Sequence, residues 1–556
     1  MTKITATNLI DAILKPIDIV SDTLERKLGL FSVVIISLSA MLGSGLFVLP
    51  ALVMLDLGGG AAPVAGIWLA YLIAAFAIMP AAFSKGELAT AMPASGGSYI
   101  YIERTFGPLV GTIAGIGLWS ASMLKSAFAL IGFKAYLWVL EELLNVSINL
   151  EVSALILLTL IVIINILGVS RIKKVQTPIV LALVAFMFIL SIWAILTMEM
   201  NWSAAFSKDA FGASWQDVAH SAGLVFVAYA GVTKVAAVGG EIKNPSRNIP
   251  YGIILSLIIA CVLYVFVAIV MVATVDPTGY INADGTARED PLYVLSHAIG
   301  GSTVGVFSAV FAITVLTATA LSGIMATSRF PFAMARDNLL PAALENVHRK
   351  FKTPHLSIIG TGVAMAISLI FLPVSDVIKL ASGFKILIFI VINACVIVLR
   401  SSSKHHRWYN PEWKSPLYPY MQILGIISGI ILLIMMGSKA YLGGLFAIIL
   451  GIAIYKTYGK GHINPEITPW ETFRMMLTNR DVIEHRRIFA AFNAADVENN
   501  KSLNLIEFMS AISALGLGFD EHSTLREYFH RADVDRDGTI NVDEFMRFIG
   551  IIEEEE

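Results

Sequence analysis

An uncharged apolar stretch from Phe31 to Leu55 constrains this chain more than any other feature of its sequence. About 20 consecutive apolar residues suffice to cross the hydrocarbon core of a bilayer as a helix. Gly43 and Gly45 lie near the middle of the stretch, where each glycine lowers helix propensity by about 1 kcal/mol relative to alanine. Unpaired backbone groups are costly in hydrocarbon, so irregular backbone at this depth is tolerated only against protein or a water-filled cavity. The stretch therefore predicts a membrane-spanning helix that is broken at its centre and holds a ligand there.

The composition extends this prediction to most of the chain. Of 556 residues, 56% are hydrophobic and only 14% are charged, which is typical of a polytopic membrane protein. The net charge of -2 gives no attraction to nucleic acid, and no nucleic-acid partner is expected. Cys261 and Cys395 lie in separate apolar segments, so neither a disulfide framework nor a CxxC metal site is predicted. No P-loop, zinc spacing or Ser/His/Asp grouping is evident, and an enzyme is not predicted.

Apolar segments of spanning length recur along the chain. They fall at 30–54, 63–83, 107–130, 152–169, 179–198, 219–238, 253–275, 304–327, 356–372, 382–399, 423–437 and 442–455, which makes roughly twelve spans. Lys and Arg collect in alternate connections, at Lys85, Arg104, Arg171, Lys173, Lys174, Lys243, Arg247, Arg336, Arg349, Lys350, Lys352, Arg400, Lys404, Arg407 and Lys414. Since basic residues collect in cytoplasmic loops, both termini are predicted to be cytoplasmic, in a protein of the plasma membrane.

A second interruption occurs in the sixth span, where Tyr229, Gly231 and Thr233 form a polar kink. Spans one and six thus carry matching breaks five helices apart, and paired broken helices point to an inverted-repeat transporter with its site near the membrane midplane. The freed amides at such breaks favour a carboxylate, and the freed carbonyls favour an ammonium or a sodium ion. A zwitterionic amino acid satisfies both. The alternative is that the glycines only allow close helix packing or a simple kink.

Several motifs in one order resemble the amino acid-polyamine-organocation (APC) transporter family from Gly29 to about Gly459. They are Gly43-Ser44-Gly45-Leu46-Phe47-Val48-Leu49-Pro50, Gly86-Glu87-Leu88-Ala89, Pro93-Ala94-Ser95-Gly96-Gly97-Ser98-Tyr99, Tyr229-Ala230-Gly231, Glu241-Ile242-Lys243-Asn244-Pro245, Ser328-Arg329 and Met334-Ala335-Arg336-Asp337. The resemblance implies an all-α, leucine-transporter-type fold with a five-plus-five inverted repeat and two further helices. It also implies secondary transport of amino acids or related amines across the lipid bilayer by alternating access.

The same resemblance implies the substrate-binding residues. Ser44 and Gly45 match positions whose amides hold the substrate carboxylate, and Met41, Val227 and Ala230 match carbonyl positions that hold its amino group. With their neighbours, the predicted set is Met41, Gly43, Ser44, Gly45, Phe226, Val227, Ala230 and Gly231. The chain departs from the family twice: it has Val227, with Phe226 beside it, where many relatives place an aromatic gate, and Thr233 where some place an acid. Gate and side-chain specificity are therefore left open.

Three lysines lie inside predicted spans, where ionisable residues are costly and indicate function. Lys125 is in the third span, Lys234 follows the sixth-span break, and Lys385 is mid-depth only if the tenth helix begins nearer Val374. The first two could instead extend towards an interface. Lys385 or Lys125 is predicted to tune coupling or selectivity, and pocket lysines should repel cationic substrates, which favours neutral amino acids. Coupling to a co-transported proton or sodium ion, or exchange, is left open.

A soluble tail follows the last span. Its loop from Asp533 meets the EF-hand pattern in full, with predicted calcium ligands Asp533, Asp535, Asp537, Thr539, Asn541 and Glu544. An upstream loop places Asp496, Glu498, Asn500, Ser502 and Glu507 at equivalent positions, but Lys501 replaces the turn glycine. This first hand either binds calcium weakly or is kept only to pair with the second. The pair is expected to bury Phe492, Leu503, Phe508, Ile540 and Phe545.

The predicted domain order is a cytosolic tail with a surface helix at 1–29, a transport domain at 30–457, a linker at 458–480, the EF-hand pair at 481–552 and an acidic tail at 553–556. We expect calcium to regulate transport through the linker residues Trp470, Phe473, Met475 and Met476. The alternative is a tail that binds calcium without altering flux. For the whole chain, an amino acid-sensing receptor without transport and a calcium-regulated channel are the competing interpretations.

Overall fold

The computed structural model describes the chain outside residues 1–25, 27, 61, 93–96, 169–171, 208–209, 211–213, 233, 236–238, 240–241, 404–405, 407, 462–467, 479, 497–499, 516–527, 536 and 556. The predicted surface helix of the N-terminal tail, the Thr233 position and the Glu498 position therefore lie outside the described residues.

The large N-terminal part is helical throughout. Its helices are α1 (Leu30–Met41), α2 (Ser44–Phe47), α3 (Leu49–Leu57), α4 (Ile67–Ala91), α5 (Ser98–Phe106), α6 (Pro108–Tyr136), α7 (Trp138–Leu144), α8 (Leu150–Leu167), α9 (Ile172–Thr197), α10 (Trp202–Phe206), α11 (Trp215–Tyr229), α12 (Pro245–Thr274), α13 (Pro291–Thr327), α14 (Arg329–Arg336), α15 (His355–Phe371), α16 (Val374–Ser401), α17 (Tyr420–Met435) and α18 (Ser438–Thr457). Eight described helices are long and apolar enough to cross a membrane, and α1, α15 and α17 are shorter apolar helices. The all-α polytopic architecture is confirmed, whereas the count of twelve spans and the inverted repeat stay predictions.

Apolar side chains on the outer helices point away from the protein. Leu160 of α8, Ile367 of α15, Ile434 of α17 and Phe446 of α18 are each at least half exposed. A soluble monomer rarely exposes apolar patches on this scale. These helices therefore present the surface that a bilayer covers.

Helices α4 and α16 extend beyond the apolar segments that predicted them. Charged residues within these helices made the predicted segments too short. Helix α16 begins at Val374, eight residues before the predicted span, and its Asp376 pairs with Lys439 at 2.6 Å. Lys385 therefore lies about 17 Å along α16, at a rise of 1.5 Å per residue. Helix α4 likewise continues to Ala91, so Lys85 lies inside it and is fully buried. The assignment of Lys85 to a cytoplasmic loop was wrong.

The C-terminal part forms a second, smaller unit. It comprises α19 (Pro469–Thr478), α20 (Arg480–Ala495), β1 (Ser502–Leu503), α21 (Leu505–Ala514), β2 (Ile540–Asn541) and α22 (Val542–Glu555). Strands β1 and β2 pair antiparallel, with Leu503 opposite Ile540. The expected core is confirmed, because the side chains of Phe492, Leu503, Phe508, Ile540 and Phe545 are fully buried.

Candidate functional site

The first span is broken at Leu42 and Gly43. The Leu42 amide still donates to Leu38 of α1 at 2.7 Å, but α2 starts afresh, with the Leu46 amide donating to the Gly43 carbonyl at 2.9 Å. The first amides of a helix have no acceptor within that helix. The amides of Ser44 and Gly45, which begin α2, are in this position. The break thus supplies the donors that the sequence predicted for a carboxylate.

The second break lies where α11 ends at Tyr229. A single turn of 3₁₀ helix, Ala230–Val232, follows it. The last carbonyls of an α-helix lack donor partners from their own helix, and a tightened final turn satisfies only some of them. The end of α11 therefore presents carbonyl oxygens beside the first break.

The two breaks touch each other. A Cβ atom added to Gly231 would lie 2.5 Å from the Met41 nitrogen, and one added to Gly45 would lie 2.6 Å from the Ala228 Cβ. Neither position has room for a side chain, so these two glycines are required by the close approach. The structure brings together and buries all of the predicted substrate residues, which are Met41, Gly43, Ser44, Gly45, Phe226, Val227, Ala230 and Gly231.

Three buried tyrosines clamp the breaks. The Tyr264 hydroxyl donates to the Met41 carbonyl at 2.7 Å, and the Tyr71 hydroxyl donates to the Gly45 carbonyl at 2.6 Å. Tyr229 donates to the Tyr71 carbonyl at 3.0 Å, and the ring centroids of Tyr71 and Tyr264 stack 5.0 Å apart. Tyr71 and Tyr264 lie in the spans that follow the two broken ones. Sequence reasoning missed both, although a tyrosine inside an apolar span needs a partner for its hydroxyl.

Lys125 of α6 reaches the second break directly. Its Nζ atom donates to the carbonyls of Val227 at 2.9 Å and Ala228 at 3.1 Å. Both carbonyls lie at the end of α11, where the Val227 oxygen also accepts from the Ala230 amide, and Val227 is one of the predicted acceptors for a substrate amine. Lys125 is therefore part of the site and does not extend towards an interface.

The other predicted lysines lie near Lys125. Lys385 is 1% exposed, and its Nζ atom donates to the Ser122 hydroxyl at 3.2 Å, one turn before Lys125 on α6. Lys234 donates to the Ser322 hydroxyl at 3.4 Å. Lys125 interacts electrostatically with both. Among the residues that the structure describes, no carboxylate forms an ion pair with these three lysines.

The predicted gate region is closed by aromatic packing. Phe226 is 1% exposed and contacts Phe389 of α16 edge to face, with ring centroids 5.4 Å apart. The Nζ atom of Lys85 lies over the same Phe389 ring, 4.1 Å from its centroid. This Nζ atom has no hydrogen-bond partner among the described residues. Lys85 escaped prediction because its segment was read as a loop.

A buried ionic network links the C-terminal ends of α4 and α16. The Arg400 guanidinium donates to both oxygens of Glu87, at 2.7 and 2.6 Å. Glu87 also accepts from the Tyr409 hydroxyl at 2.7 Å and the Ser415 amide at 2.8 Å. Burial, with a further contribution from the Glu87 carboxylate, raises the pKa of Tyr409, which keeps its hydroxyl a donor. Every oxygen of this buried carboxylate is therefore matched.

The loop between Phe529 and Phe545 has the form of a calcium site. One carboxylate oxygen from each of Asp533, Asp535 and Asp537 lies within 4.8 Å of the others. Gly538 adopts a φ of 85°, which provides the sharp turn, and Glu544 accepts from the Asn541 amide at 3.0 Å. A set of oxygen donors alone suits calcium. The residues present thus fit the predicted ion.

The first hand folds like the second despite its lysine. The amides of Asn500 and Lys501 donate to Asp496 at 3.1 and 2.8 Å, as those of the equivalent residues donate to Asp533 in the second loop. Lys501 takes a φ of 63°, the left-handed conformation that glycine adopts at little cost. The described residues of this loop thus repeat the hydrogen bonds of the second loop, with a strained backbone at Lys501.

The linker helix α19 lies against the transport domain. Trp470 packs against Phe106 with ring centroids 5.5 Å apart, and the Thr472 hydroxyl lies 3.1 Å from the Nε2 atom of His406. Phe473 stacks in turn on Trp470, at 5.9 Å. The side chains of Met475 and Met476 are outside the described residues. Helix α19 is thus in contact with both the α5 end and the segment that follows α16.

Two models of known protein families match this chain. Residues 28–454 match the amino acid permease model, and residues 486–550 match the EF-hand domain pair model. The branched-chain amino acid permease BcaP of Bacillus subtilis is 28% identical over 79% of this chain and 94% of its own length. The methylthioribose transporter of the same organism is 29% identical over 80% of this chain and 95% of its own. The chloroplastic cationic amino acid transporter 9 of Arabidopsis thaliana is 27% identical over 76% and 74%.

Proposed function

The chain belongs to the amino acid permease family and carries an EF-hand pair, and from this premise we propose a calcium-regulated secondary transporter of neutral amino acids that works by alternating access. The observation that carries the proposal is the contact between the two helix breaks. Ser44 and Gly45 direct amides from one break, and Val227 and Ala228 direct carbonyls from the other. An α-carboxylate and an α-ammonium need these two kinds of group.

The charge of the site supports neutral over cationic substrates. Relatives are named for both branched-chain and cationic amino acids, so their names do not decide between neutral and cationic substrates. Lys125, Lys234 and Lys385 lie around the breaks, and like charges repel strongly where the dielectric constant is low. A second positive charge on the substrate would lie among them.

We expect reconstituted protein to take up leucine at least tenfold faster than arginine at equal concentration. Uptake of both labelled amino acids into liposomes measures this directly, with protein-free liposomes as the background. Repeating it under imposed proton and sodium gradients identifies the coupling ion, which Lys385 or Lys125 is proposed to tune. Faster uptake of arginine than of leucine would refute the neutral preference.

The orientation proposal rests on charge and on the position of α19. The basic connections, including the ones that contain Arg104 and Arg400, are assigned to the cytoplasm. Helix α19 contacts the transport domain beside both residues, at Phe106 and His406. Both termini and the EF-hand pair would then be cytosolic, in a plasma-membrane protein, and the loop of Asp533 would sample cytosolic calcium.

Calcium is proposed to act through α19. The second loop offers Asp533, Asp535, Asp537, Thr539, Asn541 and Glu544 as ligands, and the first offers Asp496, Glu498, Asn500, Ser502 and Glu507 for weaker binding. Sensor EF-hands reorient their helices when they bind calcium. Helix α20 of the first hand follows α19 after a single residue, so its movement would reach the contact between Trp470 and Phe106.

Trp470→Ala should separate calcium binding from calcium regulation. The substitution removes the contact with Phe106 and leaves the EF-hand core untouched, so calcium titration by calorimetry should match wild type while uptake no longer responds to internal calcium. Glu544→Ala should remove both, because a bidentate ligand is lost. Glu507→Ala is the matched control for Glu544→Ala, because it removes the equivalent glutamate from the weaker first loop and leaves every ligand of the second loop in place. If wild type and Glu544→Ala transport equally with and without internal calcium, the tail binds calcium without regulating flux.

Two other functions use the same site. A sensing receptor would bind leucine without moving it, and a calcium-regulated channel would pass ions without saturable amino acid uptake. Saturable uptake of labelled leucine, accelerated by unlabelled leucine inside the liposomes, separates a transporter from both.

A further inference from the structure

The carbonyl end of the second break is already bonded to an amine of the chain itself. The Nζ atom of Lys125 lies 2.9 Å from the Val227 oxygen and 3.1 Å from the Ala228 oxygen. Lys125 reaches them from another helix, across 102 and 103 residues of sequence. An ammonium group has three donors, so two of the three are used on these carbonyls. The half of the site suited to a substrate ammonium is therefore filled by a side chain of matching chemistry.

A second ammonium would meet further obstacles at this position. Lys385 and Lys234 both interact electrostatically with Lys125. No carboxylate of the described chain pairs with any of the three, so an incoming ammonium would find no neutralising group there. An incoming carboxylate, by contrast, would be attracted by the same lysines. The charge around the breaks thus favours a ligand that brings an anion and no cation.

We infer that the site accepts 2-oxo acids with apolar side chains at least as well as the corresponding amino acids, because Lys125 supplies the ammonium that the Val227 and Ala228 carbonyls bind. The inference rests on the proposed function in one respect, that the ligand lies between the two breaks. It extends the proposed substrates to carboxylates without an α-ammonium group. Lys125 is then a specificity-determining residue that favours the 2-oxo acid over the amino acid.

The test compares two ligands that differ only at the α-carbon, leucine and 4-methyl-2-oxopentanoate. Full-length protein in liposomes takes up labelled leucine, and each unlabelled compound is added as a competitor. In wild type, 4-methyl-2-oxopentanoate should reach half-inhibition at a concentration no higher than leucine does. Direct uptake of the labelled 2-oxo acid, above that of protein-free liposomes, should also be saturable.

Lys125→Met keeps an apolar side chain of similar length and removes the ammonium. It should shift the ratio of the two half-inhibition concentrations at least tenfold in favour of leucine, because the freed Ala228 carbonyl can bind the ammonium of leucine. A merely structural role for Lys125 would weaken both ligands together and leave the ratio unchanged. Lys439→Met is the matched control, since Lys439 pairs with Asp376 and not with the carbonyls, and its ratio should stay within threefold of wild type.

Two results would overturn the inference. One is a wild-type protein that the 2-oxo acid inhibits at least tenfold more weakly than leucine does, which decides the matter even where Lys125→Met fails to fold. The other is a folded Lys125→Met variant with an unchanged ratio. Leucine uptake without competition by the 2-oxo acid leaves the proposed function standing, whereas saturable uptake of neither ligand contradicts both proposals.

Discussion

Gly231→Ala should reduce amino acid uptake to below roughly a tenth of the wild-type rate. The added methyl group would lie 2.5 Å from the Met41 nitrogen, which is backbone and has no rotamer to adopt. Overpacking of this kind costs about 1–3 kcal/mol and forces the backbone to move. The movement would separate the two breaks and so separate the groups proposed to hold the two ends of the substrate. Uptake of labelled leucine into liposomes measures the effect.

Gly360→Ala is the matched control. Gly360 lies in α15, and a Cβ atom there would meet no heavy atom within 4 Å. The same substitution should leave uptake within twofold of wild type and stabilise the helix slightly. A monodisperse elution profile and unchanged calcium binding by the Asp533 loop would show that Gly231→Ala is folded. Wild-type uptake by folded Gly231→Ala would mean that transport does not need the contact between the breaks.

Glu87→Gln should produce the largest loss of stability. Glu87 is fully buried and accepts from Arg400, Tyr409 and the Ser415 amide. Removing one partner of a buried ion pair costs about 3–5 kcal/mol, because the remaining charge is left without compensation. The apparent Tm of the purified protein should fall by roughly 5–10 °C in a thermal unfolding scan.

The exposed pair on the opposite end of α16 is the control for Glu87→Gln. Lys439 lies 2.6 Å from Asp376, but its side chain is 57% exposed. Exposed ion pairs contribute at most about 1 kcal/mol, so Asp376→Asn should lower the Tm by less than about 2 °C. Equal shifts in Tm for the two variants would show that burial does not determine how much the Glu87 network contributes to stability.

The sequence predicts the helical architecture because apolar runs of spanning length are a local signal. The sequence misplaces the ends of helices that contain charged residues. Asp376 and Lys85 lowered the apparent hydropathy of α16 and α4, and the partners that make those charges tolerable, such as Lys439, lie far away along the chain. Hydropathy describes a segment alone, whereas the length of these helices depends on contacts between segments.

The sequence likewise predicts those parts of the candidate site that have a local signal. The breaks at Gly43 and Gly231 have a local signal, since each glycine stands beside polar residues within an apolar run. The bonds of Tyr71, Tyr264 and Lys125 to the broken backbone were beyond reach, because each joins residues distant in sequence. The EF-hand loop is the opposite case: all of its ligands lie between Asp533 and Glu544, so one segment specifies the entire site.

The short connection between α19 and α20 would make the EF-hand pair a permanent part of the transporter that we propose it regulates. Only residue 479 separates Thr478 from Arg480, and α19 itself packs on the transport domain through Trp470. A tethered module acts at a high effective concentration that does not depend on how many copies a cell contains. The response would therefore need no diffusing messenger protein, and its threshold would be set by the affinity of the loops alone.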